Sequence, residues 1–347
     1  MKNRYVVYAA VFLVLGALIY LQFRTWQHFD WNAFLSQTSH VDKLQVLFGI
    51  GWIYLAYVMR AIRWNVFLLP VRRAPAARLI APTIVGFTGL ALLGRAGEMI
   101  RPYLIARKEN LSFSSQMAVW AVERIFDLGS FAVLLSLAIA FAPATRALLH
   151  FFRIGNLGTI ILGIVVAAFG MLMVWKGDHL IVMAARRFSP DLSHAGMRIA
   201  LRIREFRSGL NAIHDFRSLL YAIFVSVSMW IMIGLAYWEV LHSYGQGPLD
   251  IPLLQVPLLM LSSMVGSLIA LPGVGGGTQL ATIFTLQRVF NAPQEMAASC
   301  GILLWLVTFA SVVPAGLILM HRERLSLRKL SAESEQAEEV AATEEAT

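Results

Sequence analysis

Residues 79–94 read LIAPTIVGFTGLALLG, an apolar run interrupted by Pro82, Gly86, Gly89 and Gly94. The run is shorter than the roughly 20 residues a helix needs to cross a bilayer. Arg60, Arg63, Arg72, Arg73 and Arg78 precede it, and Arg95, Arg101, Arg107 and Lys108 follow it. Basic residues collect on the cytoplasmic side of membrane proteins, so both ends are expected to face the cytoplasm and the segment to be re-entrant. A second apolar segment, 252–290, is broken by LPGVGGG at 271–277, and the same reading makes it a re-entrant hairpin dipping in from the opposite face.

Composition places these segments in a membrane protein. Of the 347 residues, 58% are hydrophobic and 14% charged, and the mean hydropathy is +0.67, outside the range of soluble domains. Apolar stretches near 5–23, 44–68, 117–142, 157–175, 218–241 and 297–320 predict six transmembrane helices. Threading the chain through them leaves 23 of the 29 basic residues inside, with Arg24, Lys43, Arg146, Arg153 and Arg288 outside and Arg124 within a span. That bias puts both termini in the cytoplasm and the protein in the plasma membrane, the inner membrane of a two-membrane cell.

The fold class expected is therefore an all-α polytopic membrane protein with two Gly/Pro-broken hairpins. ALLGRAG at 91–97 matches ALPGVGG at 270–276 at four of seven positions, an offset of 179 residues. The same offset carries span 44–68 towards 218–241 and span 117–142 towards 297–320 with reversed orientation, which predicts an inverted repeat of 44–142 and 218–320. A basic amphipathic helix on the inner leaflet is expected over 193–217, where Ile199, Ile203, Phe206, Leu210 and Ile213 share a face. Residues 1–325 form one transmembrane domain in this reading. Residues 326–347 form an acidic, disordered cytoplasmic tail, since 331–347 hold six glutamates and no Lys or Arg.

The net charge of +9 hides this split, because residues 1–330 carry 29 basic against 14 acidic residues, or +15. Basic residues between apolar spans report orientation and contact with anionic lipid head groups rather than nucleic acid. An inverted repeat with paired broken segments points to a transporter whose site lies where the two hairpins meet near the midplane. The competing reading is a duplicated scaffold whose glycines serve only close helix contact.

Three groups of residues stand out as sites. Glu98 lies three residues from both Arg95 and Arg101, so one carboxylate is expected to bridge two guanidiniums that keep spare donors for a phosphate. Glu123, Arg124 and Asp127 fall inside a span, where charges cost about 2.5–3.5 kcal/mol each, and are expected to act as a charge gate that releases the arginines when substrate arrives. Gly273, Gly275, Gly276 and Gly277 offer consecutive backbone N–H groups suited to an anion, with Thr278 and Gln279 beside them. No G-x-x-x-x-G-K-[ST] occurs, so this is not a nucleotide loop.

Catalysis has little support. The eight histidines show no metal-ligand spacing, Cys300 is the single cysteine, and no G-x-S-x-G elbow is present. No metal or other cofactor is expected.

GRAGEMIRPYLIARKENLSFSSQMAVWAVERIFD at 94–127 resembles the G-x-x-G-E-x-x-R-P and E-R-x-x-D signature of the transmembrane-region family of lysylphosphatidylglycerol synthases, and LPGVGGGTQLA at 271–281 is similar to that family's second Gly-rich segment. The resemblance covers most of residues 1–325. It implies a flippase-like protein that moves phospholipids, polyprenyl or hopanoid-type lipids between leaflets. Fused members carry a soluble aminoacyltransferase domain, which is not expected in the short tail after residue 325. Where the family often has a glutamate after the second Gly run, this chain has Gln279 and Leu280, which puts charge- or proton-coupled transport in question. The reading that follows is a transporter of an anionic or phosphate-bearing lipid. Its alternatives are a membrane-embedded transferase with Glu123 or Asp127 as base, and a non-transporting partner of an envelope-lipid biosynthetic enzyme.

Overall fold

Asp30 and Asp42 start the first two helices in the same way. The Asp30 carboxylate accepts from the backbone N–H of Asn32 at 2.8 Å and of Ala33 at 3.1 Å, and that of Asp42 accepts from Leu44 at 2.8 Å, satisfying donors that the first turn leaves open. They cap α1 (Trp31–Ser39) and α2 (Lys43–Leu68). In this computed structural model the described residues are 29–69, 72–141, 216–267, 276–323, 325–326, 330, 332–334 and 336, with the side chains of 95 and 96 excepted. The spans expected at 5–23 and 157–175, the amphipathic helix over 193–215, and Gly273 and Gly275 lie outside them.

Every regular element among the described residues is helical, so the all-α membrane class holds. After α2 come α3 (Ala76–Leu93), a 3-10 turn (Gly94–Met99), α4 (Ile100–Glu109) and α5 (Phe113–Phe141); then α6 (Phe216–His242), α7 (Val256–Ser267), α8 (Gly276–Arg288), α9 (Gln294–Trp305), a π turn (Leu306–Ala310) and α10 (Val312–Arg322). Among the described residues, five stretches are long and apolar enough to cross a membrane: α2, α3, α5, α6 and the continuous run from α9 through α10. Large apolar side chains on their outer faces are exposed, among them Phe48, Leu128, Phe224 and Ile318, as a lipid environment requires.

The segment 79–94 is not broken internally. Helix α3 runs unbroken through Pro82, Gly86 and Gly89, and the chain reverses only at Gly94, whose φ of +64° a side chain would strain. The other glycines serve close approach. A Cβ on Gly86 would meet the Cβ of Arg101, and one on Gly97 would run into the backbone of Gly89, so α3 and α4 lie against each other as a hairpin. Its two ends return to one level, where Arg72 Nε stands 3.9 Å from Glu109 Oε2. α7 and α8 form a second hairpin in which a Cβ on Gly266 would meet the carbonyl of Gly277.

Helices α2 and α6 pair antiparallel, with Gly49 beside Ala236 and Val240 near one end and Arg63 bonded to Ser226 near the other. The first hairpin opens at the C-terminal end of α2. The second opens at its N-terminal end, where Asp42 N bonds Ser243 O at 2.8 Å and Tyr244 Oη and Ser299 Oγ lie 2.7 Å apart. Shifting α4 by 179 residues gives 279–288 against the observed 276–288 of α8, and shifting α5 gives 292–320 against 294–322 for α9 through α10. Contacts follow the same exchange: α3 lies on α10, and α7 lies on α5.

Part of the tail expected to be disordered is packed. Leu330 is buried with Val85, Ile100 and Leu104, and Glu333 accepts from Tyr103 Oη at 2.9 Å and stands 3.5 Å from Arg107. The apolar side chain supplies the burial that the acidic composition alone does not.

Candidate functional site

Four arginines and two carboxylates meet between α2, α4 and α5. Arg60 and Arg63 come from the last two turns but one of α2, Arg101 from the first turn of α4, and Glu123, Arg124 and Asp127 from α5. Glu123 lies ten residues past the start of α5 at Phe113, about 15 Å along the axis, within a stretch long and apolar enough to cross a membrane.

The arginines are not equivalent. Arg63 is fully buried and makes three bonds: Nη1 donates to Asp127 Oδ1 at 2.7 Å and Ser226 Oγ at 3.0 Å, and Nη2 to Glu123 Oε1 at 2.6 Å, while its Nε–H has no acceptor. It ties α2 to α5 and α6. Arg101 Nη2 reaches the same Glu123 oxygen at 2.9 Å, while its Nε–H, though buried, has no acceptor. Arg124 sits 3.4 Å from Asp127 Oδ2 and 3.5 Å from Glu123 Oε2, with its side chain 42% exposed and its buried Nε–H also without an acceptor. Arg60 Nη1 lies 3.5 Å from Asp127 Oδ2 and its guanidinium faces the Phe87 ring.

An open pocket adjoins this network, lined by Gly86, Phe87, Leu90, Glu98, Arg101, Trp120 and Arg124. Glu98, Arg101 and Arg124 supply its charged lining, and Phe87, Leu90 and Trp120 its aromatic and apolar lining. Counting Glu98, four guanidiniums stand against three carboxylates among the described side chains, an excess of one positive charge.

The expected sites are partly brought together. Arg101, Glu123, Arg124 and Asp127 share one network, and Glu98 lines the pocket beside it. Glu98 does not bridge to Arg101, which turns to Glu123 instead; residues 94–99 are a 3-10 turn and Arg101 begins the next helix, so the i, i+3 relation of a single α-helix does not apply. The side chain of Arg95 lies outside the described residues. Gly276, Gly277, Thr278 and Gln279 form the first turn of α8, held against α7 and α9, and do not line the pocket. Arg60 and Arg63 were read as orientation signals, yet both fall within the α2 span. Two cations at i, i+3 inside an apolar stretch are the signal that marks them.

A family model described as the lysylphosphatidylglycerol synthase TM region matches residues 7–316. A UPF0104 membrane protein of Methanothermobacter thermautotrophicus is 23% identical over 294 residues, covering 79% of this chain and 85% of that protein.

Proposed function

The chain belongs to the family of the lysylphosphatidylglycerol synthase transmembrane region, and from that membership and the pocket we propose that it moves a lipid with a phosphate-bearing head group between leaflets. The observation that carries the reading is the excess of one positive charge among the described side chains of this cluster, inside stretches apolar enough to cross a membrane, which one phosphodiester anion neutralises. Arg101 and Arg124, which line the pocket, hold the head group, and charged hydrogen bonds to phosphate are the strong ones. Phe87, Leu90 and Trp120 take the apolar atoms next to it. Glu123 and Asp127 hold the guanidiniums while the pocket is empty and share them with phosphate when it is filled.

The end of α2 at which the first hairpin opens carries Arg72, Arg73, Arg78, Arg107, Lys108 and Arg322, whereas the other end carries Lys43 and Arg288. By the charge bias the first end faces the cytoplasm in this proposal.

Purified protein in liposomes tests the reading. It should speed leaflet exchange of fluorescent phosphatidylglycerol over protein-free vesicles, and a phosphate lipid should be retained in native mass spectra. No acceleration for any phosphate lipid would refute transport, and a chemically converted lipid would show an enzyme instead.

A further inference from the structure

Glu123 alone does not account for the aim of Arg101. We propose that Trp64 and Gln116 are positioning residues of the pocket, the indole fixing the plane of the Arg101 guanidinium and the amide fixing the indole. This rests on the head-group reading above and names the residues that prepare the site for it.

The Arg101 guanidinium carbon lies 4.0 Å from the centre of the Trp64 ring. Trp64 is fully buried in the last turns of α2, and its Nε1–H donates to Gln116 Oε1 at 3.0 Å. Gln116 is itself buried and donates from Nε2 to Ser115 Oγ at 3.2 Å, and Ser115 Oγ donates to Ser112 O at 2.8 Å. An unbroken set of contacts thus runs from the start of α5 to the guanidinium face.

A planar cation laid on an aromatic face and tied at one edge to Glu123 keeps its other N–H groups in one fixed plane. The free Nε–H of Arg101 lies in that plane. Burying an indole N–H requires an acceptor, so a residue serving only to fill space here would more simply be aliphatic or phenyl, as neighbouring Phe67 and Phe126 are. The backbone is fixed as well, because Gly86 lets α3 lie directly on the Cβ of Arg101.

The test measures exchange of fluorescent phosphatidylglycerol in proteoliposomes against its mole fraction. Trp64→Leu and Gln116→Leu should raise the half-saturating fraction about fivefold to tenfold, the effect of one buried cation–π contact, with the maximal rate held within about twofold. Trp64→Phe keeps a ring face but loses the bond to Gln116, and should match Gln116→Leu. In an Arg101→Lys background Trp64→Leu should add nothing, since an ammonium has no plane to fix. An equal effect in that background, or a fall in maximal rate that tracks the melting temperature alone, would overturn the proposal.

A wild-type protein that moves no lipid would instead defeat the head-group reading. The stacking is then read directly in 15N-arginine-labelled protein in nanodiscs. The Arg101 Nε–H signal, identified by its loss in Arg101→Lys, should be shifted upfield by the Trp64 ring current and should return in Trp64→Leu and Gln116→Leu. An unshifted signal would overturn the positioning role by itself.

Discussion

Arg63 Nη2 donates to Glu123 Oε1 across 2.6 Å, and neither side chain is exposed. Removing one member of such a pair strands the other, at about 3–5 kcal/mol. Arg63→Met should therefore lower the melting temperature in detergent steeply, and Glu123→Gln in the same background should restore part of it. Strictly additive losses in the double-mutant cycle would show that the two do not share an environment.

Arg101 and Arg124 should behave differently, because both line the pocket and Arg63 does not. Arg101→Ala and Arg124→Ala should abolish exchange of anionic lipid while the protein remains folded by gel filtration. Arg101→Lys should restore only a fraction, since a point charge lacks the planar fork. Full activity in the double alanine variant would remove the head-group assignment.

The hairpins predict a labelling pattern. In a Cys300→Ala background, single cysteines replacing Arg73 and Arg107 should react with an impermeant thiol reagent from one membrane face, and those replacing Asp250 and Asn291 from the other. All four positions are exposed. Labelling of Arg73→Cys and Arg107→Cys from opposite faces would exclude a hairpin that enters and leaves on one side.

Two glycines make a contrast. A Cβ on Gly97 would collide with the Gly89 backbone, which cannot swing aside, whereas one on Gly51 meets nothing within 4 Å. Gly97→Ala should cost about 1–3 kcal/mol or more and depress exchange by prising α4 from α3. Gly51→Ala, mid-helix, should leave activity unchanged and stabilise by about 0.5–1 kcal/mol. Paired thermal melts and exchange rates check both.

Much of the architecture was legible because it rests on long-range regularities: a hydropathy pattern and a 179-residue offset that lands α4 on α8 and α5 on α9 through α10. Local geometry was less so. Pro82 and the paired glycines suggested a broken helix, yet tertiary contact keeps α3 intact and uses Gly86 and Gly89 to seat α4. Arg101, Glu123, Arg124 and Asp127 were identifiable from chemistry alone. Their partners Arg60, Arg63 and Trp64 were not, because the sequence places them about 60 residues from Glu123 and the positive-inside rule offered a ready explanation for any arginine near a span end. Gly276–Gln279 open α8, where the N–H groups of a first turn have no intrahelical acceptor, and these residues lie apart from the pocket.

The π turn at Leu306–Ala310 gives the second half a property that the uninterrupted α5 lacks. Such a turn holds one residue beyond the α pattern, which sets the chain beyond it about 100° of rotation away from where an unbroken α-helix would place it. Tyr54 Oη donates to Ser311 O at 2.8 Å, so a hydroxyl on α2 takes up a carbonyl just past that turn. The face that α10 presents to α3 is thus chosen by a single inserted residue.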